Sequence, residues 1–94
     1  MFKEKILEKV NLKRDFGYVL NELQDIACEN LSKRSVNNYL RASCRDADAC
    51  EGMDGMLING HYWDWKEFFK VREIVSAWLD YFTESELQTI YANL

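Results

Sequence analysis

A mainly α fold is predicted for this chain: a small single domain over residues 1–94, of about five helices with a short β-hairpin insert near 56–63. Three observations point to it. Apolar residues recur at helical spacing through most of the chain. There is no proline, and three of the four glycines (Gly52, Gly55 and Gly60) fall within nine residues, so one loop region separates two long helix-compatible stretches. That loop ends in an Asn-Gly pair between strand-favouring residues, which is a hairpin signal. Chains divide into domains only at roughly two or three times this length. With 48% hydrophobic residues, one core can close without metal or disulfide help.

In the first segment Phe2, Ile6, Leu7 and Val10 recur at helical spacing. In the second, Phe16, Val19, Leu20, Leu23, Ile26 and Ala27 follow the i, i+3, i+4, i+7 pattern of an amphipathic helix, with Asp15 as its N-cap. A third helix starts near Ser32, turns Val36, Tyr39 and Leu40 inward and runs out near Cys44. The stretch "RDADACEGMDG" after it is polar and glycine-bearing, and is read as loop.

In "MLINGHYW", Asn59-Gly60 supplies the two positive φ angles of a type I′ turn, which predicts Met56–Ile58 paired with His61–Trp63. Two strands alone are marginal in water, so the hairpin must lean on the helices. Two well-marked helix starts follow: Asp64 with Glu67, and Thr83 with Glu86, each with the spacing of a capping box. Between them Trp65, Phe68, Phe69, Arg72, Val75, Trp78, Leu79 and Phe82 trace one apolar stripe over about four turns, broken only at Arg72. Leu87, Ile90, Tyr91 and Leu94 repeat the pattern in the last helix.

Charge divides the chain. The front half, residues 1–45, is basic, with nine Lys/Arg against six acids; the back half, 46–94, is acidic, with three against ten, for a net −4. Such asymmetry bears on partners and steering rather than on fold. No apolar run approaches the roughly 18 residues of a membrane span, and "MFKEKILEKV" is too often interrupted by charge for a secretory segment. Cys28, Cys44 and Cys50 form an odd set without framework spacing, as suits free thiols in a reducing compartment. A cytoplasmic protein without membrane contact is expected.

No chemistry emerges from the polar residues. Cys28, Cys44, Cys50 and His61 could in number supply four zinc ligands, but their spacing matches no zinc knuckle. Asp46, Asp48 and Asp54 suggest a calcium loop, yet from Asp46 the sixth position is Glu51 instead of glycine and the twelfth is Leu57 instead of glutamate. Nothing orients a Cys–His nucleophile pair. A non-enzymatic protein without metal or cofactor is therefore expected.

The segment "ELQDIACENLSKRSVNNYLRAS" (Glu22–Ser43) resembles a helix-turn-helix unit: Ile26-Ala27 as the first-helix pair, Ser32 as cap, and Ser35-Val36 and Tyr39-Leu40 as inward positions. The turn is one residue shorter than usual in that family and lacks its common glycine. The resemblance covers about a quarter of the chain. It implies that Lys33, Arg34, Asn37, Asn38 and Arg41 face outward to meet phosphates and base edges of DNA, as in a dimeric transcriptional regulator. The plain reading of the same residues is an ordinary helix with a solvated basic face.

Eight of the thirteen aromatics lie between Tyr62 and Phe82. Phe68, Trp78 and Phe82 are assigned to the core; Trp63, Phe69 and Tyr81 lie off the main line. One helix and one hairpin cannot bury eight large rings on one side, so some are expected outside as interface anchors. With the acids around them they describe a contact surface of Asp46, Asp48, Asp54, His61, Tyr62, Trp63 and Asp64. The leading expectation is a small protein–protein interaction module docking this surface on a basic partner, including one whose groove normally holds nucleic acid. In size and charge it is like the inhibitors of phages and mobile elements. Monomer and homodimer both fit. The DNA-binding regulator is the alternative.

Overall fold

The four side-chain caps that the sequence marks all close, and they set the element starts. In the computed structural model, which describes residues 1–52 and 54–94, the order is α1 (Phe2–Lys9), α2 (Phe16–Asn30), α3 (Lys33–Ala49), β1 (Gly55–Ile58), β2 (His61–Asp64), a 3₁₀ turn (Trp65–Glu67), α4 (Val71–Leu79) and α5 (Glu84–Ala92). Asp15 accepts from the Tyr18 amide at 2.9 Å and Ser32 from the Ser35 amide at 3.2 Å. Thr83 and Glu86 cap each other reciprocally, as do Asp64 and Glu67. Among the described residues, no helix is long and apolar enough to cross a membrane.

The core is made by α1, α2, α4 and α5. Ile6, Leu23, Ile74, Val75, Leu79 and Ile90 are completely enclosed there. The amide of Phe2 donates to Glu84 at 2.9 Å and Lys3 pairs with Asp80 at 2.7 Å, so α1 is held across the far end of the chain. Between α2 and α4 the chain makes an excursion, α3 followed by the hairpin, which docks on this core by a few large side chains. Tyr39 is the main one. Its ring meets Trp78, Tyr81 and Phe82 at 5.6, 5.4 and 5.3 Å, and its hydroxyl accepts from the Trp78 indole at 3.1 Å. Aromatic pairs in such tilted and edge arrangements contribute about 0.5–1.5 kcal/mol each beyond their buried area.

The hairpin forms as its turn predicts. Asn59 (φ 46°) and Gly60 (φ 80°) both take positive φ, and Ile58 pairs with His61 and Met56 with Trp63. Alternation then puts Met56, Ile58, His61 and Trp63 on one face, of which Ile58 and Trp63 are buried.

Two expectations are corrected. The third helix does not end at Cys44 but runs to Ala49, because arginine and alanine are good helix formers and Asp46 finds a partner across the fold. The long helix expected after Asp64 is two pieces. Lys70 (φ −81°, ψ 65°) makes an inverse γ-turn, with the Val71 amide on the Phe69 carbonyl at 2.9 Å. The bend re-phases the stripe, so that α4 buries Ile74, Val75, Trp78 and Leu79 while Arg72 points to water.

Candidate interaction surfaces

The expected acidic aromatic surface divides into residues that build the fold and residues that face solvent. Asp46 belongs to the first group. It is on α3 rather than in a loop, is 8% exposed, and its carboxylate accepts from the Asn59 amide at 2.9 Å and from the Tyr81 hydroxyl at 2.5 Å. The same amide lies 3.1 Å from the Tyr81 oxygen. Helix α3, the hairpin turn and the end of α4 therefore meet at one carboxylate. Burial, and after it the bond to Asp46, holds the Tyr81 hydroxyl well above the ordinary tyrosine range.

Trp63 is likewise inside, at 7% exposure, opposite Met56 and behind the His61 ring at 4.4 Å. Its indole N–H is buried and has no partner among the described residues. Neither Asp46 nor Trp63 is available as a contact residue, which corrects the expectation for both. Asp64 is half-buried and committed to its cap, accepting from the Lys66 amide at 2.8 Å. Tyr62 is half-buried on the outer face of the hairpin, lying over Gly55, where a Cβ would meet its hydroxyl. Desolvation, then the carboxylates of Asp64 and Asp54, push that hydroxyl upward. Asp48, Asp54 and His61 are exposed.

In the back half of the chain the aromatics that reach furthest into solvent are Trp65 and Phe69, 59% and 77% exposed. They flank Phe68, whose ring stacks on Phe16 of α2 at 4.6 Å with 13° between planes and meets Trp65 at 4.3 Å. Phe68 is thus only half-buried, a base plate for Trp65. The Trp65 amide donates to the Asp54 carbonyl at 3.1 Å, which ties this turn to the acidic loop. Phe16 continues the apolar strip into a groove of about 310 Å³ between α2, α3, β1 and α4, lined among others by Leu20, Tyr39, Met56 and Trp78.

On α3 the five polar positions of the helix-turn-helix resemblance, Lys33, Arg34, Asn37, Asn38 and Arg41, are all exposed, and Arg45 joins them. The inward set is not as expected. Tyr39 is buried and Val36 half-buried, but Leu40 is 41% exposed. Tyr39 packs on α4, whereas in a helix-turn-helix unit the second helix rests on the first. The two helices instead diverge from the short turn at Leu31-Ser32, with the groove opening between them.

All three cysteines are free, with Cys28 and Cys44 exposed. Among the described residues no three His, Cys, Asp or Glu side chains gather as a metal site would need. Comparison with protein-family models, with characterised proteins and with solved structures finds no match.

Proposed function

We propose that this protein is a small interaction module that engages a protein partner through the surface around the 3₁₀ turn, with Trp65 and Phe69 as anchors and Asp54, tied to the turn through its carbonyl, on the acidic rim. One observation carries the reading. Two large rings stand 59% and 77% in water, Trp65 on a turn that Asp64 and Glu67 cap reciprocally and over the Phe68 ring stacked on Phe16, and Phe69 just after it. Exposing such rings is unfavourable unless something covers them, and apolar patches rimmed by polar residues mark interaction sites. A ring already packed on a neighbour, as Trp65 is on Phe68, loses little entropy on binding, which is what makes tryptophan a strong anchor. The acidic rim suits a basic partner and speeds encounter with it. Inhibition of a nucleic-acid-binding protein, of the kind encoded by phages, is one setting with this chemistry.

The experiment is affinity capture from host lysate with wild type beside Trp65→Ala/Phe69→Ala, identified by mass spectrometry, with sedimentation of the purified protein in parallel. The reading expects a basic protein retained by wild type and lost by the double variant. If both proteins capture the same set, the surface is wrong. If wild type sediments as a dimer and the double variant as a monomer, the rings serve self-association and the foreign partner falls.

A further inference from the structure

We infer that the outer face of α3 is a second docking surface, and that its occupant is double-helical nucleic acid gripped by its phosphates. From Ser32 to Arg45 the helix carries Lys33, Arg34, Arg41 and Arg45 and no acid. All four are exposed, and none forms an ion pair among the described residues. Of the eight other cations, five are engaged: Lys3 pairs with Asp80, Lys70 with Glu67, and Lys5, Lys9 and Arg14 lie over aromatic rings. Lys13, Lys66 and Arg72 are also exposed but scattered, and do not form a row on one helix face. A chain of net −4 thus keeps a row of four free positive charges on one helix.

The geometry suits a groove. At about 3.6 residues per turn, Arg34, Asn37, Asn38, Arg41 and Arg45 share an arc of about 100°, with Arg34 and Arg45 about 16 Å apart along the axis. The helix is held from the opposite side, through Tyr39 and Asp46, so this arc stands clear of the domain. A helix about 10–12 Å across with its side chains fits a major groove about 12 Å wide. The positive end of the helix dipole lies beside Lys33 and Arg34, and asparagine is a residue type that pairs with adenine edges. Asp48, one turn beyond Arg45 and lining the same shallow cleft as Arg41 and Arg45, and the exposed Glu51 bound the basic row at its C-terminal end, so the stretch from Lys33 to Arg45 is the part that goes in. The charge row and its exposure carry this without any packing of α3 on α2.

The test is fluorescence anisotropy with a labelled random-sequence DNA duplex, from about 50 to 200 mM salt. Neutralising four phosphates predicts a log–log salt slope of about −3.6, roughly a 150-fold loss of affinity over that range. Arg34→Ala/Arg41→Ala, both surface changes checked by circular dichroism, should flatten the slope by about 1.8. Lys13→Ala/Lys66→Ala should leave it unchanged, and so should Trp65→Ala/Phe69→Ala, which separates this surface from the one around the 3₁₀ turn. Three results overturn the inference: no binding at the lowest salt, a slope that ignores Arg34 and Arg41, or tighter binding to single strands than to the duplex. Retention on heparin with none on duplex DNA would hand the face to an acidic protein instead.

Discussion

Replacing Asp46 by alanine should unfasten the hairpin and α3 from α4 without touching either proposed surface. The carboxylate accepts two hydrogen bonds, from the Asn59 amide and the Tyr81 hydroxyl, at a position 8% exposed. Bonds to a charged group contribute about 1.5–3 kcal/mol each. The full sum is not lost, since the Asn59 amide keeps Tyr81 as a second acceptor, the half-buried Tyr81 hydroxyl can turn to water, and removing a carboxylate relieves its own desolvation. The net cost is about 2–3 kcal/mol, a large share of the ~5–15 kcal/mol that holds a small domain together. At about 4–8 °C per kcal/mol for a domain of this size, the midpoint should fall by about 10–20 °C. Urea denaturation followed by tryptophan fluorescence measures the first quantity and a thermal scan the second. Tyr81→Phe removes one bond and should cost about 1–1.5 kcal/mol. The double variant should then cost less than the two singles together by about 1 kcal/mol or more, because they share that bond. A cost for Asp46→Ala below about 0.5 kcal/mol, or strict additivity with Tyr81→Phe, would refute the latch and return Asp46 to the surface.

Trp63→Phe should be nearly neutral, within about 1 kcal/mol, because the indole N–H it removes is buried and has no partner among the described residues, whereas Trp63→Ala should cost about 3–5 kcal/mol; equal losses in urea melts would mean that the N–H is satisfied. Burial raises Tyr39 and Tyr81 above the ordinary value of 10.0 in the folded state, so the unfolded chain releases these protons first. Stability should therefore be intact below about pH 10 and fall as pH rises through and beyond it, with Tyr81→Phe flattening the fall; a midpoint independent of pH there would contradict the burial of both hydroxyls.

What the sequence disclosed was local. Asp15, Ser32, Asp64 and Thr83 announce their caps because a cap is written in residues three positions apart. Asn59-Gly60 announces its turn for the same reason. The hairpin register carried part of the fate of Trp63: a two-residue turn pairing Ile58 with His61 puts Ile58 and Trp63 on one face, and which residues of that face are covered is decided by the helices packed on it, since Met56 and His61 share it and stay exposed. The bend at Lys70 was not legible, since Trp65, Phe68 and Phe69 also fit a continuous helical stripe, and only the stack of Phe68 on Phe16, far away in sequence, decides against it. Asp46 misled for a like reason. An acid in "RDADAC" looks solvated until Tyr81 and the hairpin turn are folded against it, and those partners are 35 and 13 residues away. Exposure of Lys33, Arg34 and Arg41 was legible because helical periodicity alone fixes which residues share a face.

The excursion between α2 and α4 has a consequence for how the molecule can change. Residues 33–64 leave the four-helix core and return to it, and they hold on by Tyr39, Ile58, Trp63 and Asp46. The basic helix face lies on this arm and the aromatic turn begins where it ends. Recognition has thus been placed outboard of the structure that keeps the chain folded. Opening of the arm is a smaller event than global unfolding, and its amides should exchange with solvent ahead of those in α4 and α5. Partner choice can be rewritten along the outer face of α3 and the 3₁₀ turn, residue by residue, while the packing of Ile6, Leu23, Ile74 and Ile90 stays as it is.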